Sequence, residues 1–265
     1  MAFYEGQITT RTEVMTMLSE NTVFKLRKMK LGTMADEYTR QMVDNRTPGM
    51  SFDERFGLIV DLEYSRRDNN RMARLVKNAS FAERGASLEN IDYSPERKLD
   101  VDTIKTLSSS TFIESKLNAY ILGATGAGKT FLACALGMQA CRDLYAVKYV
   151  GLQDMLGELA LAREEGSFAK AFDAYKKVRL LIIDDWLMFD VGDAEALILY
   201  QLIEARKYVG PIIICSQIGP DGWHGRIENP VAADSICDRL VHSSYKLVVE
   251  GEMRKKNSAR LFAGA

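Results

Sequence analysis

The feature that most restricts the fold of this chain is the stretch 123–130, Gly-Ala-Thr-Gly-Ala-Gly-Lys-Thr, which stands between two apolar runs. The run before it, 120–122, is short enough for a buried strand, and the run after it, 131–141, has the length of a helix. Glycines at such a junction let backbone N–H groups converge on a phosphate, and the helix N-terminus adds the positive end of its dipole. The pattern predicts a P-loop in an α/β fold; a chance match is the alternative, which the flanking runs disfavour.

The polar residues of the loop have predicted parts in binding ATP. Lys129 supplies a mobile positive charge for the β- and γ-phosphates, and the Thr130 hydroxyl is placed to bind Mg²⁺. Backbone N–H groups complete the phosphate cradle. The predicted nucleotide-binding residues are Gly123, Ala124, Thr125, Gly126, Ala127, Gly128, Lys129, Thr130 and Phe131.

A second apolar run, 178–185, ends in two carboxylates. Its uninterrupted, β-branched character is typical of a buried parallel strand, and ligands of open α/β sheets bind at the carboxyl ends of such strands. We expect Asp184 to hold Mg²⁺, directly or through water, and Asp185 to polarise the water that attacks the γ-phosphate. The alternative is that the pair caps the following helix, since Asp is a favoured N-cap residue.

A third apolar run, 211–215, is followed by Ser216 and Gln217. If it is a strand of the same sheet, one of these side chains contacts the γ-phosphate or its water; both could equally begin a loop. Further strands are predicted at 146–150 and 245–250, and helices at 153–165, 168–176, 194–207 and 232–240. The order predicts a five-stranded parallel sheet. It suits a small-molecule kinase less well, because an additional strand separates the P-loop strand from the strand that ends in Asp184.

Composition sets further bounds. The chain has 265 residues, 47% of them hydrophobic, which is enough for one α/β core and a smaller appendage. No apolar stretch approaches the roughly 20 residues that span a membrane, and the N-terminus has no signal-peptide pattern, so we expect a cytoplasmic protein without a membrane partner. A net charge of −1 restricts any DNA contact to a local patch. The four cysteines form no Cys-x-x-Cys pair and are predicted to be buried free thiols, without zinc or a disulfide.

A long helix, 52–77, is predicted before the α/β part. Ser51 and Glu54 form a capping-box pattern at its start. One line along this helix changes from apolar to basic, because it carries in order Phe56, Val60, Tyr64, Arg67, Arg71 and Arg74. We therefore expect the first half to pack against its own domain and the second half to project positive charge outward.

This basic half is a candidate DNA-binding surface. Contacts from arginine to phosphate would be independent of DNA sequence and sensitive to salt. The alternative is a solvated helix end. The predicted DNA-binding residues are Arg66, Arg67, Arg71, Arg74 and Lys77.

Three regions follow from these patterns. An earlier stretch, 22–46, is also helical in pattern and contains several basic residues, so a small helical N-terminal domain that binds DNA or a partner is predicted over 1–84. Periodicity is lost over 85–99, which includes Ser94-Pro95 and is predicted to be a linker. The ATPase domain is predicted over 100–265.

These motifs, in this order, resemble the IstB-like helper ATPases of insertion-sequence transposons, which are related to the DnaC-type helicase loaders. The likeness implies an AAA+ P-loop core without a C-terminal lid domain, and only 15 residues follow Glu250. Two departures affect loop shape: Leu187-Met188-Phe189 follows Trp186, where the family usually has glycine, and Ala124 replaces a common proline. The likeness covers about 26–256 and rests on 31–35, 52–55, 123–130, 131–136, 159–163, 184–186, 216–217, 223–224, 238–242 and 251–256.

The resemblance also implies roles for two arginines. Arg239 ends the predicted helix 232–240, where an AAA+ arginine reaches the γ-phosphate of a neighbouring subunit. The alternative is an internal ion pair with Asp234 or Asp238. Arg254 belongs to a short basic tail that could touch nucleotide or DNA, and we assign it to the nucleotide site.

What the family likeness implies is an ATP- and Mg²⁺-dependent ATPase. Its turnover is expected to be slow, because Asp185 reaches one methylene less than a glutamate would. It would form a homo-oligomer on duplex DNA with little sequence preference and recruit or stimulate a cognate transposase. Hydrolysis would disassemble the complex and so regulate target choice. Two other functions stay open: a helicase loader, which would share the ATPase core but prefer single strands, and a small-molecule kinase, which would use Asp185 as the base for a substrate hydroxyl.

Overall fold

The computed structural model describes residues 11–44, 49–242 and 244–251, with side chains from residue 19 onwards in these ranges. It consists of two compact units, Met1–Arg71 and Met72–Ala265, and the boundary between them lies inside one long helix. The described part of the first unit is helical, and the second unit contains the sheet.

The first unit begins with two helices, α1 (Arg11–Lys28) and α2 (Gly32–Val43), so the stretch 22–46, which is helical in pattern, is divided between two helices. Lys30 has a φ of 59°, and the N–H of Leu31 donates to the carbonyl of Leu26 at 2.9 Å. A left-handed residue followed by such a bond ends a right-handed helix. Residues 45–46 of the predicted helix lie outside the described residues.

The long helix α3 (Phe52–Ala79) starts where its capping pattern predicts. The Ser51 hydroxyl accepts the N–H of Glu54 at 3.3 Å, and the Glu54 carboxylate accepts the N–H of Ser51 at 2.7 Å. This reciprocal pair satisfies two donors that the helix itself leaves unpaired. The predicted capping box is confirmed.

The packed face of α3 differs from the predicted one. Ile59 and Glu63 are buried, with exposures of 8% and 7%. Glu63 sets the rotation of α3 about its axis, because its carboxylate accepts two backbone N–H groups at the start of α2, at 3.0 and 3.3 Å. The expectation that the neighbouring apolar line packs against its own domain is therefore wrong, since 40% to 66% of each residue is exposed at Phe56, Val60 and Tyr64.

The second unit is built on a five-stranded parallel sheet, as predicted. Its strand order is β2-β3-β4-β1-β5, so the P-loop strand β1 lies between β4 and β5. The carboxyl ends of the strands share one edge, where Leu122 of β1 is opposite Ser216 of β4. The strands are β1 (Ala119–Leu122), β2 (Val147–Gly151), β3 (Leu180–Asp184), β4 (Ile212–Ser216) and β5 (Tyr245–Val248).

Helices cover both faces of this sheet. Side chains alternate along each strand, and in β4 Ile213 and Cys215 pack in one layer while Ile212 and Ile214 pack in the other. The helices are α4 (Val101–Ser108), α5 (Thr111–Ser115), α6 (Lys129–Arg142), α7 (Leu152–Glu164), α8 (Phe168–Lys176), α9 (Asp193–Arg206) and α10 (Pro230–Val241). Both layers of the core thus hold the strand ends that carry the predicted site.

Residues 79–99 pack on the α6 layer of this core. Ala79, Phe81 and Ala86 are buried there, and partly buried Leu88, Ile91 and Leu99 pack against the same cluster. Phe81 lies so close to α6 that a Cβ atom on Gly137 would be 2.5 Å from its ring. The unit boundary after Arg71 is therefore earlier than the predicted domain end at residue 84, and the predicted linker, 85–99, adds apolar contacts to the second unit.

The four cysteines are free thiols, and Cys134, Cys141 and Cys215 are buried. In the described ranges no helix combines the length and the apolar character needed to cross a bilayer.

Candidate nucleotide site

The P-loop connects β1 to α6 and depends on glycine. Gly126 and Gly128 have φ values of 78° and 97°, in the left-handed region that other residues rarely adopt. At Gly123 a Cβ atom would lie 2.4 Å from the carbonyl oxygen of Val249, which follows β5. The N-terminus of α6 comes directly after this loop, as phosphate binding requires.

Lys129 is the first residue of α6, and its ammonium lies within the loop. Its Nζ donates to the carbonyl oxygens of Gly123 and Ala124 at 2.9 and 3.0 Å, and only 7% of the residue is exposed. Burial lowers the pKa of Lys129, whereas the nearby carboxylates Asp184 and Asp185 act in the opposite direction. The loop therefore holds a positive charge beside the acids that end β3.

The loop is braced by Arg97, which sequence reasoning missed. Arg97 Nη2 donates to the carbonyl oxygen of Ala127 at 2.6 Å, and the Arg97 carbonyl accepts the N–H of Glu250 at 3.2 Å. Arg97 thus ties the P-loop to the segment that follows β5. No local pattern indicates this contact, because it joins residues 30 positions apart.

Asp184 is buried at the end of β3 and accepts three hydrogen bonds. Its Oδ2 accepts the Thr130 hydroxyl at 2.6 Å and the Tyr149 hydroxyl at 2.7 Å, and its Oδ1 accepts the N–H of Asp185 at 2.8 Å. The carboxylate and the threonine hydroxyl are adjacent oxygen donors, which is the ligand type that Mg²⁺ prefers. These two residues fit the predicted metal site.

Tyr149 is a second residue that sequence reasoning missed. It lies in β2, and burial, followed by the hydrogen bond to Asp184, raises the pKa of its hydroxyl. A protonated hydroxyl therefore orients the carboxylate oxygen that faces Thr130. The contact between Tyr149 and Asp184 follows from the pairing of β2 with β3, which can be recognised only when the strand order is known.

Asp185 follows β3 with a φ of 50° and lines the cavity beside the P-loop. The residue is exposed, but partial desolvation of its carboxyl, followed by the charge of Asp184, raises its pKa, which suits a group that must exchange a proton. The capping alternative is excluded for both acids, because α9 begins at Asp193 and its N-cap is Gly192.

The structure separates the two polar residues at the end of β4. Ser216 is fully buried, and its hydroxyl donates to the Trp186 carbonyl at 3.0 Å and accepts the Trp223 indole N–H at 3.3 Å. Gln217 instead lines the cavity and accepts the Thr125 hydroxyl of the P-loop at 2.7 Å. Of the two predicted residues, Gln217 therefore faces the cavity, whereas the Ser216 hydroxyl forms its hydrogen bonds within the core.

These residues meet around one cavity of about 260 Å³. Lys129 comes from the P-loop, Asp185 from the end of β3 and Gln217 from the end of β4. Arg226, which sequence reasoning also missed, completes the charged lining from the segment between β4 and α10. The predicted nucleotide site is thus assembled from three strand ends at one edge of the sheet, while Arg254 lies outside the described residues.

Arg239 lies at the end of α10, away from this cavity. Its guanidinium pairs with Glu204 of α9 at 2.5 Å, donates to the Ser235 carbonyl at 3.0 Å and lies 5.3 Å from the centre of the Tyr200 ring. An internal ion pair is therefore present, but its partner is neither Asp234 nor Asp238. Because 31% of the side chain is exposed, a role toward a neighbouring subunit stays a prediction.

The predicted DNA-binding residues of α3 fall into two groups. Arg66 donates to the Thr33 hydroxyl at 2.8 Å, and Arg67 pairs with Glu63 at 2.8 Å and donates to the Lys30 carbonyl at 3.1 Å. These two arginines line a notch of about 480 Å³ that also includes Arg27 and Lys30. The second group is exposed farther along the helix and consists of Arg71, Arg74 and Lys77.

Comparison with known sequences gives consistent matches. Residues 24–261 match the family described as IstB-like ATP binding protein. The insertion sequence ATP-binding protein y4pL of Sinorhizobium fredii is 34% identical over 244 residues, which cover 92% of this chain and 99% of the relative. The ATP-binding protein of insertion sequence IS1162 of Pseudomonas fluorescens is 36% identical over 202 residues, or 76% of this chain and 87% of the relative.

Solved structures agree with the fold. The AMPPCP-bound DnaA of Aquifex aeolicus superposes with a TM-score of 0.55 at 18% identity, over 68% of this chain and 55% of that one. The crystal structure of DnaI gives a TM-score of 0.54 at 20% identity, over 64% of this chain and 90% of that one. At these identities the likeness establishes the fold alone, which is that of an AAA+ P-loop domain.

Proposed function

Because the chain belongs to the IstB-like ATP-binding protein family, we propose that it is a Mg²⁺-dependent ATPase that assembles on duplex DNA and assists a transposase in DNA transposition. The observation that carries the ATPase part is the convergence of Lys129, Asp185 and Gln217 on one cavity, with the Thr130–Asp184 oxygen pair close to Lys129. The transposition part is supported by relatives that are named as insertion sequence proteins.

Each residue of the site has a distinct chemical task in this proposal. Lys129 and the N-terminus of α6 hold the phosphates, and Gln217 orients the terminal phosphate or its water. Thr130 and Asp184 would hold Mg²⁺, which supplies charge neutralisation to the phosphates when bound. Asp185 accepts a hydrogen bond from the attacking water and polarises it.

The proposed DNA contact depends on local charge. The whole chain has a net charge of −1, so attraction to phosphate must come from a patch. Arg71, Arg74 and Lys77 are exposed on α3, whereas Arg67 is already bound to Glu63 and Lys30. We therefore assign the free phosphate contacts to the exposed group and a mainly structural task to Arg67.

The proposed assembly depends on Arg239. Its guanidinium has five N–H donors, of which contacts to Glu204 and Ser235 occupy only part, so the same group can also reach an anion. A neighbouring subunit's γ-phosphate is the proposed anion, in a homo-oligomer on DNA.

The experiment that tests this function measures DNA binding by fluorescence anisotropy. Long duplex and single-stranded DNA would each be titrated in the presence of ATP, AMPPCP or ADP, with Lys129→Ala as the nucleotide-free control. We expect tight, cooperative binding to duplex of any sequence that requires ATP or AMPPCP and is lost in the control. Preference for single strands would favour the helicase loader, and absence of DNA binding in every nucleotide state would reject the proposed function.

A further inference from the structure

The cavity beside the P-loop has a charged residue that the proposed ATPase chemistry does not use. Lys129, Asp185 and Gln217 have tasks there, and Arg226 is the remaining charged side chain in the described lining. Arg226 and the P-loop residue Lys129 line this cavity in one and the same subunit. An arginine in this place is a candidate for direct contact with the nucleotide.

The backbone around Arg226 is held by the core. The Arg226 N–H donates to the Trp223 carbonyl at 3.0 Å, and the Arg226 carbonyl accepts the N–H of Val191 at 2.8 Å. Trp223 is fully buried, and its indole N–H donates to the Ile218 carbonyl at 2.8 Å. The side chain therefore starts from a fixed point between the segments that follow β3 and β4.

The Arg226 guanidinium forms only weak hydrogen bonds in this structure. Arg226 Nη1 donates to Asp190 Oδ1 at 3.2 Å and to the Met188 carbonyl at 3.3 Å. The Asp190 side chain is 73% exposed and that of Arg226 is 40% exposed, and ion pairs of this kind contribute little to stability. Because both bonds use one nitrogen of a planar fork, Arg226 can exchange Asp190 for a phosphate at low cost.

The charged lining of the cavity and the planar fork of the guanidinium favour the terminal phosphate of the nucleotide as the ligand of Arg226. The cavity places Arg226 with Lys129 and Gln217, and arginine binds phosphate through two parallel hydrogen bonds. We propose that Arg226 contacts the γ-phosphate of ATP bound in its own subunit, in addition to any arginine supplied by a neighbour. This inference depends on the proposed ATP site. Arg226 would thereby distinguish ATP from ADP and return to Asp190 when the γ-phosphate has left.

The test compares the affinities for AMPPCP and ADP by isothermal titration calorimetry. Arg226→Gln is expected to weaken AMPPCP binding about tenfold or more while ADP binding stays unchanged, because only AMPPCP has the third phosphate. Arg226→Lys retains the charge but loses the fork, so it should recover only part of the loss. Arg142→Gln is the matched control, since Arg142 also pairs with an exposed carboxylate, Glu89, at 3.2 Å.

Three outcomes would overturn the inference. Unchanged AMPPCP affinity in Arg226→Gln would show that the side chain does not touch the γ-phosphate. An equal loss for AMPPCP and ADP would show a general effect on the site. Recovered ATPase activity on mixing Arg226→Gln with Lys129→Ala subunits would show that Arg226 acts on a neighbour. Failure of the wild type to bind either nucleotide would instead reject the proposed function, and the inference with it.

Discussion

Backbone strain and side-chain burial compete at Leu187, which lies close to Asp184 and Asp185 in the chain. Leu187 has a φ of 52°, which a leucine rarely adopts, and its side chain is fully buried. Glycine, which the family resemblance leads us to expect after Trp186, adopts such a φ without strain. In this chain burial outweighs strain, because left-handed backbone costs about 1–2 kcal/mol and removing a buried leucine costs about 2–5 kcal/mol.

Leu187→Gly should therefore destabilise the protein, although it relieves the strained backbone. We expect a loss of about 1–3 kcal/mol after the two effects are combined. Urea unfolding followed by tryptophan fluorescence measures this, because Trp186 lies next to the substitution. A more stable variant would show that the strain is larger than the burial of leucine.

We expect Asp185 to be required for ATP hydrolysis and to determine how the hydrolysis rate depends on pH. Partial desolvation and the charge of Asp184 raise the pKa of Asp185, so ATPase activity should fall on acidification at a pH above the usual aspartate pKa. Asp185→Asn should bind ATP but not hydrolyse it, which nucleotide titration and a phosphate-release assay separate. Normal hydrolysis by this variant would place the base elsewhere.

The same pKa shift predicts the sign of a stability change. A carboxyl with a raised folded pKa contributes stability below its unfolded pKa, and this contribution is lost as the pH rises through the folded pKa. At neutral pH Asp185→Asn should therefore be at least as stable as the wild type. Chemical unfolding of both proteins at pH 7 and pH 4 provides the control for the kinetic result.

Tyr149 should influence the proposed Mg²⁺ site through Asp184. Tyr149→Phe removes the hydroxyl that donates to Asp184 at 2.7 Å but keeps the ring. We expect the Mg²⁺ concentration for half-maximal ATPase activity to rise about tenfold, as is typical when a partner of a metal ligand is removed. Tyr145→Phe is the matched control, because its hydroxyl donates to exposed Glu114 at 2.8 Å. An equal Mg²⁺ requirement in Tyr149→Phe would limit Tyr149 to packing.

Among the secondary-structure elements, α3 is a helix whose packed face includes a buried acid, Glu63. Its apolar line remains 40% to 66% exposed, whereas Glu63 is buried and bound to the start of α2 and to Arg67. The unpaired N–H groups at the start of α2 need an acceptor, and a carboxylate is the strongest one available. Glu63 thus binds the half-buried N–H groups of α2, while the three apolar side chains of the neighbouring line stay exposed.

Glu63→Gln should weaken the contact between α2 and α3. The hydrogen bond from Arg67 lowers the pKa of Glu63, so its contribution is present above the unfolded pKa and is lost as the pH falls through the folded pKa. We expect a loss of about 1–3 kcal/mol at pH 7 that diminishes below about pH 4.5. Hydrogen exchange of α2 amides measures it. Asp61→Asn, an exposed site on α3, is the control, and equal exchange in both variants would contradict this account.

At the scale of the whole molecule, we predict that Arg239 of one subunit completes the active site of a second copy. The Arg239→Ala variant should bind nucleotide normally but lose cooperative turnover, because we expect Arg239 to act on the γ-phosphate held by a neighbouring subunit. Mixing Arg239→Ala with Lys129→Ala subunits should restore part of the ATPase activity, since some interfaces then combine an intact Lys129 with an intact Arg239. Glu204→Gln, which removes the ion pair at 2.5 Å, should reduce turnover less than Arg239→Ala. Absence of recovery in mixtures would assign Arg239 to its own subunit.

Much of the site was predictable because its signals are local. The P-loop, the acids at the end of β3, the polar pair at the end of β4 and the five strands are each encoded in fewer than ten neighbouring residues. Glycine spacing, β-branched runs and capping residues act through the backbone conformation of their own segment. The family likeness added the AAA+ core, which the comparisons confirm.

The amino-acid sequence by itself thus determined the nucleotide-binding fold and the identity of its main polar residues. Only the tertiary structure decided that Gln217 rather than Ser216 faces the cavity, that Tyr149 and Arg97 support the site, and that Arg226 lines it. It also decided the rotation of α3 and the turn between α1 and α2. These features depend on strand order and helix rotation, because they join side chains that are distant in sequence and meet only when the core has packed.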